Sequence, residues 1–265
     1  MLNRFRQSEI LDIARQQGRV TVDGLAAHFG VTVQTIRRDL SDLADSGQLD
    51  RVHGGAVIRS GVRNIGYQDR RGLNPEAKTA IAARAATLIP NGSSLFLNIG
   101  TTTEAVAKAL LQHEGLLVVT NNLNIANILA ANPDCEVVVA GGTLRRADGG
   151  LTGHLTMRVI EQFKVDIAVI GCSALDVAGD VLDFDVAEVS VSQTILRHAR
   201  KTMLVADQSK FQRTAPARIT SLTELDAFVT DAPLPGLLTQ DCANAGTTVD
   251  IKQAKPRALR PEAFY

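Results

Sequence analysis

Thr32-Val33-Gln34-Thr35-Ile36-Arg37-Arg38-Asp39-Leu40, preceded by Val22-Asp23-Gly24-Leu25-Ala26-Ala27-His28-Phe29-Gly30-Val31, reads as two short helices joined by a tight turn. Thr32 is placed to cap the second helix, its hydroxyl accepting a backbone N–H of the first turn. Val33, Ile36, Leu40 and Leu43 recur at helical spacing and make one apolar stripe. At about 100° per residue, Gln34, Arg38 and Ser41 fall opposite that stripe, with Thr35 and Arg37 on its flanks. A helix seated on a small core through one face and showing Gln, Arg, Ser and Thr on the other can hydrogen-bond bases and phosphates. A solvated surface helix carries the same pattern, so the flanking sequence decides between the two.

Before the pair, Phe5, Ile10, Ile13 and Ala14 recur in helical rhythm across residues 4–17, with Gly18 closing the run. After it, Leu49-Asp50-Arg51-Val52-His53-Gly54-Gly55-Ala56-Val57-Ile58 reads as two short strands around a Gly-Gly turn. Three helices followed by a hairpin make a winged helix-turn-helix, expected over residues 1–58. Thr32, Gln34, Thr35, Arg37, Arg38 and Ser41 then face DNA from the helix, and Arg51, His53 and Gly54 from the wing.

The chain has 265 residues, enough for one large or two ordinary domains, and 45% are apolar. Aromatic residues make up only 4% and there is no Trp, so the core must be aliphatic. Net charge is zero, which excludes whole-molecule attraction to nucleic acid or membrane. Residues 1–60 hold eight arginines against seven acids, so a positive surface must come from placement. Every cation before Lys78 is Arg, the side chain suited to forked contacts with phosphate and guanine. Cys135, Cys172 and Cys242 lie far apart, and the five histidines are scattered. Neither fits a metal site, and neither metal nor cofactor is expected. The start, Met1-Leu2-Asn3-Arg4-Phe5-Arg6, lacks a signal peptide's apolar run, and no stretch approaches a membrane span. A cytoplasmic protein with no membrane partner is expected.

Residues 59–73 are polar, with Gly61, Gly66 and Gly72 and four arginines, and read as a linker. Pro75 then opens a helix at its first turn. Beyond it, strand candidates at Ser94–Asn98, Leu116–Thr120, Glu136–Ala140, Asp166–Gly171, Thr202–Ala206 and Ala227–Thr230 alternate with helix candidates. The latter are Pro75–Ile89, Thr103–Gln112, Leu123–Ala131, Leu155–Phe163 and Val186–Arg200, with Leu237–Asn244 and Thr247–Ile251 as a last helix and strand. This alternation predicts an α/β domain over 74–252 around a mainly parallel sheet, followed by a loose tail over 253–265.

The sharpest chemistry there is Asn98-Ile99-Gly100-Thr101-Thr102-Thr103, running into Glu104–Leu111. Gly allows close backbone approach, the hydroxyls donate, and free N–H groups at a helix start favour an anion. An ordinary strand-to-helix turn capped by Thr is the plain alternative. Neither a P-loop lysine nor a Rossmann glycine triplet is present, so no nucleotide is indicated. Small polar residues recur at other strand ends: Thr120-Asn121-Asn122, Gly141-Gly142-Thr143 and Asp148-Gly149-Gly150. Open α/β sheets bind ligands beyond the carboxyl ends of their strands, so these segments point to one shared pocket. Asp183 and Asp185, with Glu188 close behind, are placed to hold ligand hydroxyls, and Lys210 to supply a cation. Each alone reads as a solvated loop residue; together they read as a site for a small phosphorylated polyol.

Over nearly its full length the chain resembles the DeoR family of bacterial transcriptional repressors. The resemblance rests on Thr35-Ile36-Arg37-Arg38-Asp39-Leu40, His53-Gly54-Gly55-Ala56, Gly100-Thr101-Thr102, Val119-Thr120-Asn121-Asn122-Leu123, Ala140-Gly141-Gly142, Ile170-Gly171 and Asp207-Gln208-Ser209-Lys210-Phe211. It implies a winged helix joined to a sensor domain related in fold to ribose-5-phosphate isomerase. It also implies a phosphorylated sugar or polyol effector that releases operator DNA. Carried over by motif, Gly100, Thr101, Thr102 and Thr103 would hold the phosphate, with Thr120, Asn121, Asn122, Asp148, Glu188 and Lys210 completing the pocket. Ile89-Pro90-Asn91-Gly92-Ser93, Arg146-Ala147-Asp148-Gly149-Gly150, Leu182-Asp183-Phe184-Asp185 and Thr230-Asp231-Ala232-Pro233 match a branch of the family whose effector is sn-glycerol-3-phosphate. Two residues depart from the family pattern: Asn98 stands where Asp is frequent, and Gln208 where His is. A neutral amide at either place should change the hydroxyl preference or the charge balance of the ligand.

Two other functions are open to this sequence. A sugar-phosphate isomerase carrying a DNA-binding arm would use Asp183, Asp185, Glu188 and Lys210 as acid, base and electrophile. A nonspecific architectural DNA binder is disfavoured by the neutral chain. One winged helix reads only a few base pairs of double-stranded operator DNA, so a homodimer or homotetramer is expected.

Overall fold

The computed structural model describes residues 2–17, 19–46, 48–52, 54–58 and 66–252. Gly18, His53, residues 59–65 of the expected linker and the expected tail over 253–265 lie outside the described residues. The first unit comprises α1 (Leu2–Gln17), β1 (Arg19–Thr21), α2 (Val22–Phe29), α3 (Val33–Asp45), β2 (Leu49–Val52) and β3 (Gly55–Ile58). Thr32 caps α3 as its position dictates, accepting from the Thr35 N–H at 3.3 Å. Ile36, Leu40 and Leu43 are buried against Ile10, Ala14, Val20 and Leu25.

Two expectations for this unit need correction. Phe5 does not join the core; it is 73% exposed. At about 100° per residue it sits roughly 140° around α1 from Ile10, and Leu11 takes the inward place instead. Val33, at the first turn of α3, is also exposed. The hairpin gains a third strand, for β1 pairs antiparallel with β3 in the order β1-β3-β2. Asp39 is buried and takes a forked bond from Arg6 (2.5 and 3.2 Å), tying α1 to α3.

The second unit continues with α4 (Tyr67–Gly72), α5 (Pro75–Thr87), β4 (Ser94–Leu97), α6 (Thr101–Ala109), β5 (Leu116–Thr120), α7 (Leu123–Leu129) and β6 (Cys135–Val139). A hairpin of β7 (Thr143–Arg145) and β8 (Gly150–Thr152) leads to α8 (His154–Ile160) and β9 (Val165–Ile170). Then come β10 (Ala174–Leu175), β11 (Asp180–Asp183), α9 (Val186–Arg197), β12 (Ala199–Val205), β13 (Ala217–Ser221), β14 (Ala227–Thr230), α10 (Leu238–Ala245) and β15 (Thr248–Ile251).

Among the described residues seven strands form one parallel sheet in the order β15-β14-β12-β9-β4-β5-β6. Its inner strands are buried on both faces, which is why they read as apolar runs, whereas the edge strands β6 and β15 are only partly covered. Leu95, Leu97, Val118, Val169 and Val205 pack under α5, α6 and α7 through Ile81, Val106, Leu110 and Ile125. Their neighbours Phe96, Val119, Ile170, Leu204 and Phe228 face Ile160, Val189 and Ile195 on the other side. From β4 the chain moves outward one way through β5 and β6, and from β9 it moves the other way. That reversal, between the carboxyl ends of β4 and β9, is where an open α/β sheet leaves a crevice.

The antiparallel sheet β10-β11-β13 and the β7–β8 hairpin were not anticipated, being built from strands too short to print a pattern. Helix α4 lies in the stretch expected as linker. No helix among the described residues is long and apolar enough to cross a membrane.

Candidate DNA interface and effector pocket

On α3, Gln34, Arg37 and Arg38 are exposed, and neither guanidinium has a hydrogen bond or ion pair among the described residues. Thr32 and Thr35 share a hydroxyl bond of 2.9 Å at the helix start. Ser41 and Arg51 are less available than their positions promised. Ser41 Oγ donates to the Arg37 carbonyl at 2.9 Å, and Arg51 Nη1 donates to both that carbonyl and Ser41 Oγ at 3.0 Å. Their bonds clamp the wing to the recognition helix, adding polar contacts to the apolar packing of Leu40, Leu43 and Leu49. Gly54 forms the turn with φ +75°, and His53 lies outside the described residues.

At the reversal of the sheet, Ile99, Gly100, Thr101 and Thr102 after β4 meet Gly171, Cys172 and Ser173 after β9. Asp183, Glu188, Lys210 and Arg70 complete the walls of a small cavity, about 20 Å³. Helix α6 starts at Thr101, two residues earlier than its sequence suggested. Gly100 precedes it with φ +147°, a conformation other residues avoid. It turns the first N–H groups of α6, which have no acceptor within the helix, toward the cavity.

Opposite stand two carboxylates. Asp183 is buried and accepts from Ser173 Oγ (2.8 Å) and from the Phe184 N–H (2.6 Å). Burial and the charge of Asp183 push the Glu188 carboxyl up to about 8, against the opposing pull of Arg145 at 2.6 Å. Lys210 is buried, and no hydrogen bond to its Nζ exists among the described residues. Burial and the neighbouring Arg213 hold its ammonium below the usual lysine range, although Asp207 pulls the other way. Arg213 is itself buried, with Nε and Nη1 lacking partners among the described residues. The Cys172 thiol is raised by burial to about 12, so it stays protonated and is no nucleophile at neutral pH.

Several residues expected in the pocket make hydrogen bonds within the fold. Asn98 turns inward, accepting from the Ile99 N–H and donating to Ser192 Oγ, both at 2.7 Å. Thr103 donates to the Gly100 carbonyl, Thr120 to the Leu97 carbonyl, and Asn121 to the Leu151 carbonyl. Asn122 caps α7, and Asp185 caps α9 while bonding Arg145. Gly141 and Gly142 face Thr156: Thr156 Oγ1 bonds the Gly141 carbonyl, and a Cβ on Gly142 would fall 2.0 Å from that oxygen. Gly149 closes a turn onto Arg145 and Leu123. Asp148 is not among the residues lining this crevice; it takes a forked bond from Arg145 and a third contact from Arg70. Gln208 donates to the Pro233 carbonyl, away from the cavity.

Sequence reasoning missed Arg70, Arg145 and Glu104. Arg145 holds Asp148, Asp185 and Glu188 together. Glu104, buried in the first turn of α6, accepts from Tyr67 Oη (2.9 and 3.0 Å), Asn122 and Asn124. Burial and that carboxylate raise the Tyr67 hydroxyl to about 12. Apart from the local Arg145–Asp148 pair, these contacts join residues far apart in the chain, and no local pattern announces them.

A winged helix-turn-helix joined to an α/β unit with a polar crevice at its switch point defines a DNA-binding regulator with a sensor. Residues 6–61 match the DeoR-like helix-turn-helix domain and residues 73–232 the DeoR C terminal sensor domain. The chain therefore belongs to the DeoR family. It is 46% identical to the glycerol-3-phosphate regulon repressor of Escherichia coli (strain K12) over 230 residues, 87% of this chain and 91% of that one. The repressor of the same name from Haemophilus influenzae is 45% identical over 88% of this chain and 91% of its own. The transcriptional repressor CsqR of Escherichia coli (strain K12) is 39% identical over 88% and 89%. With repressors as its relatives and a helix-turn-helix at its start, the chain is a transcriptional repressor and not the isomerase considered above. Among solved structures, ribose 5 phosphate isomerase A from Neisseria gonorrhoeae aligns with TM-score 0.38 and 15% identity over 54% of each chain.

Proposed function

We propose that this repressor governs a carbon-utilisation operon and leaves its operator when a small phosphorylated polyol or sugar enters the switch-point crevice. The effector is sn-glycerol-3-phosphate, the metabolite for which the most similar relatives above are named. The observation that carries this reading is a crevice with opposite chemistry on its two sides. The α6 start, Lys210 and Arg70 suit a phosphate, while Asp183 and Glu188 suit hydroxyls. Gly100, Thr101, Thr102 and Lys210 hold the phosphate in this reading. Asn98, Thr103, Thr120, Asn121, Asn122, Gly141, Gly142, Asp148, Gly149 and Asp185 shape the loops around it.

On the DNA side, Gln34, Thr35, Arg37 and Arg38 read or grip the duplex, with the wing turn at His53 and Gly54 alongside. The functional division is 1–58 for DNA, 59–73 for connection and 74–252 for sensing, with 253–265 as a tail. A homodimer or homotetramer in the cytoplasm would place two such helices on a two-fold operator. A thermal-shift titration tests the effector. At 100 times its Kd a bound ligand adds about 2.7 kcal/mol of stability, whereas glycerol or inorganic phosphate alone should add far less. No shift with sn-glycerol-3-phosphate, and none in operator affinity, would refute the assignment.

A further inference from the structure

Helix α4 joins the two units physically. It follows the wing, lies against α1 on one side and against α6 on the other, and runs into α5. Four side-chain contacts dock it on the sensor. Tyr67 Oη donates to Glu104 on α6 and accepts from Asn124 Nδ2 at 3.0 Å, Arg70 Nη2 donates to Asp148 at 3.2 Å, and Lys78 Nζ donates to the Arg70 carbonyl. Arg70 also forms part of the crevice wall. With α4 so placed the crevice offers about 20 Å³, little more than the space of one water. The enclosed part of the crevice is smaller than a polyol phosphate, and Arg70 is the wall residue that stands on a short helix and not on the sheet or the helices packed against it. Beside α4, between α5 and α6, a groove of about 370 Å³ lined by Arg71, Thr101, Glu104 and Lys108 leaves it room to shift.

We infer that α4 is a movable strap and that Arg70 is its effector-contacting residue. The incoming phosphate takes the Arg70 guanidinium from Asp148, which keeps its stronger pair with Arg145 (2.6 Å) and so is not stranded. Arg70 then draws α4 along α6 and changes its bearing on α1, which Arg6 and Asp39 fasten to the recognition helix. The inference rests on the phosphorylated-effector reading above and adds how that effector reaches DNA.

The test uses the full chain, calorimetry with sn-glycerol-3-phosphate, and anisotropy on a duplex selected from a random pool. Arg70→Gln should weaken ligand binding about tenfold, the worth of one charge-assisted bond. Tyr67→Phe should leave ligand affinity within about threefold, yet lower the ratio of operator Kd with and without ligand, which for such switches runs about 5–150-fold. A strap that is only structural would change operator affinity equally with and without ligand, leaving that ratio untouched. Wild-type ligand affinity in Arg70→Gln, or a wild-type ratio in Tyr67→Phe, overturns the inference. No binding by the wild-type chain refutes the effector reading itself, and the strap with it.

Discussion

Lys78 offers a test with a predicted change of sign. Lys78 is 6% exposed, and burial chiefly lowers its ammonium from 10.5 to about 8, with Lys210, Arg213 and Arg70 adding to the effect and Asp207 opposing it. Between those two values the unfolded chain holds a proton that the native protein has released, so stability rises with pH across that window and is flat on either side. At about 1.4 kcal/mol per tenfold, the native state below pH 8 carries a penalty of about 3 kcal/mol from this one group. Lys78→Met keeps most of the side-chain volume and removes the charge, at the loss of the bond to the Arg70 carbonyl, worth about 1 kcal/mol. The variant should therefore be about 2 kcal/mol more stable than wild type at pH 7, and about 1 kcal/mol less stable at pH 10.5. Urea unfolding followed by circular dichroism at several pH values reads this directly, since the other titrating groups are common to both proteins. Two curves that run parallel from pH 7 to 10.5 would show that Lys78 is not charged at a cost, and the reasoning would fall.

Four further outcomes follow from the sites. Glu188 ionises near pH 8, so binding of an anionic effector should weaken from pH 7 to pH 9, and Glu188→Gln should flatten that slope in calorimetry. Gly100→Ala forces a side chain into φ +147° with its Cβ 3.1 Å from Thr103 Oγ1; it should cost about 1–3 kcal/mol of stability, read by urea unfolding, and weaken ligand binding. Arg38→Ala should cost about 1–3 kcal/mol of operator binding and relax one base position. Arg51→Ala should instead loosen the wing and weaken binding to all duplexes alike, as anisotropy on operator and random DNA would separate.

What the sequence disclosed was whatever depends on local periodicity. The stripe Ile36, Leu40 and Leu43 gave α3, and doubly buried runs such as Asp166–Gly171 gave the parallel strands, because burial on both faces leaves no polar interruption. Gly100 and the threonines stood out because a helix start needs a particular backbone. The polar residues of the other strand ends were harder to assign. Asn98, Thr120 and Asn121 sit at the right heights but spend their bonds on the carbonyls, N–H groups and hydroxyls that strand ends leave open. Arg145 and Arg70 lay hidden for another reason. Each acts on acids brought close by folding, as much as 78 positions away for Arg70 and Asp148, and such pairing has no sequence signature. Strands β10 and β11 are too short to alternate visibly, so the antiparallel sheet that carries Asp183 was unforeseen.

The Tyr67–Glu104 bond also gives this protein an optical property. The chain has no Trp and two tyrosines, Tyr67 and Tyr265. A phenol hydrogen-bonded to a carboxylate emits weakly, because the excited hydroxyl hands its proton to the acceptor. While α4 is docked, the Tyr67 phenol is therefore dimmed, and release of its hydroxyl should brighten the ultraviolet emission of the unlabelled protein.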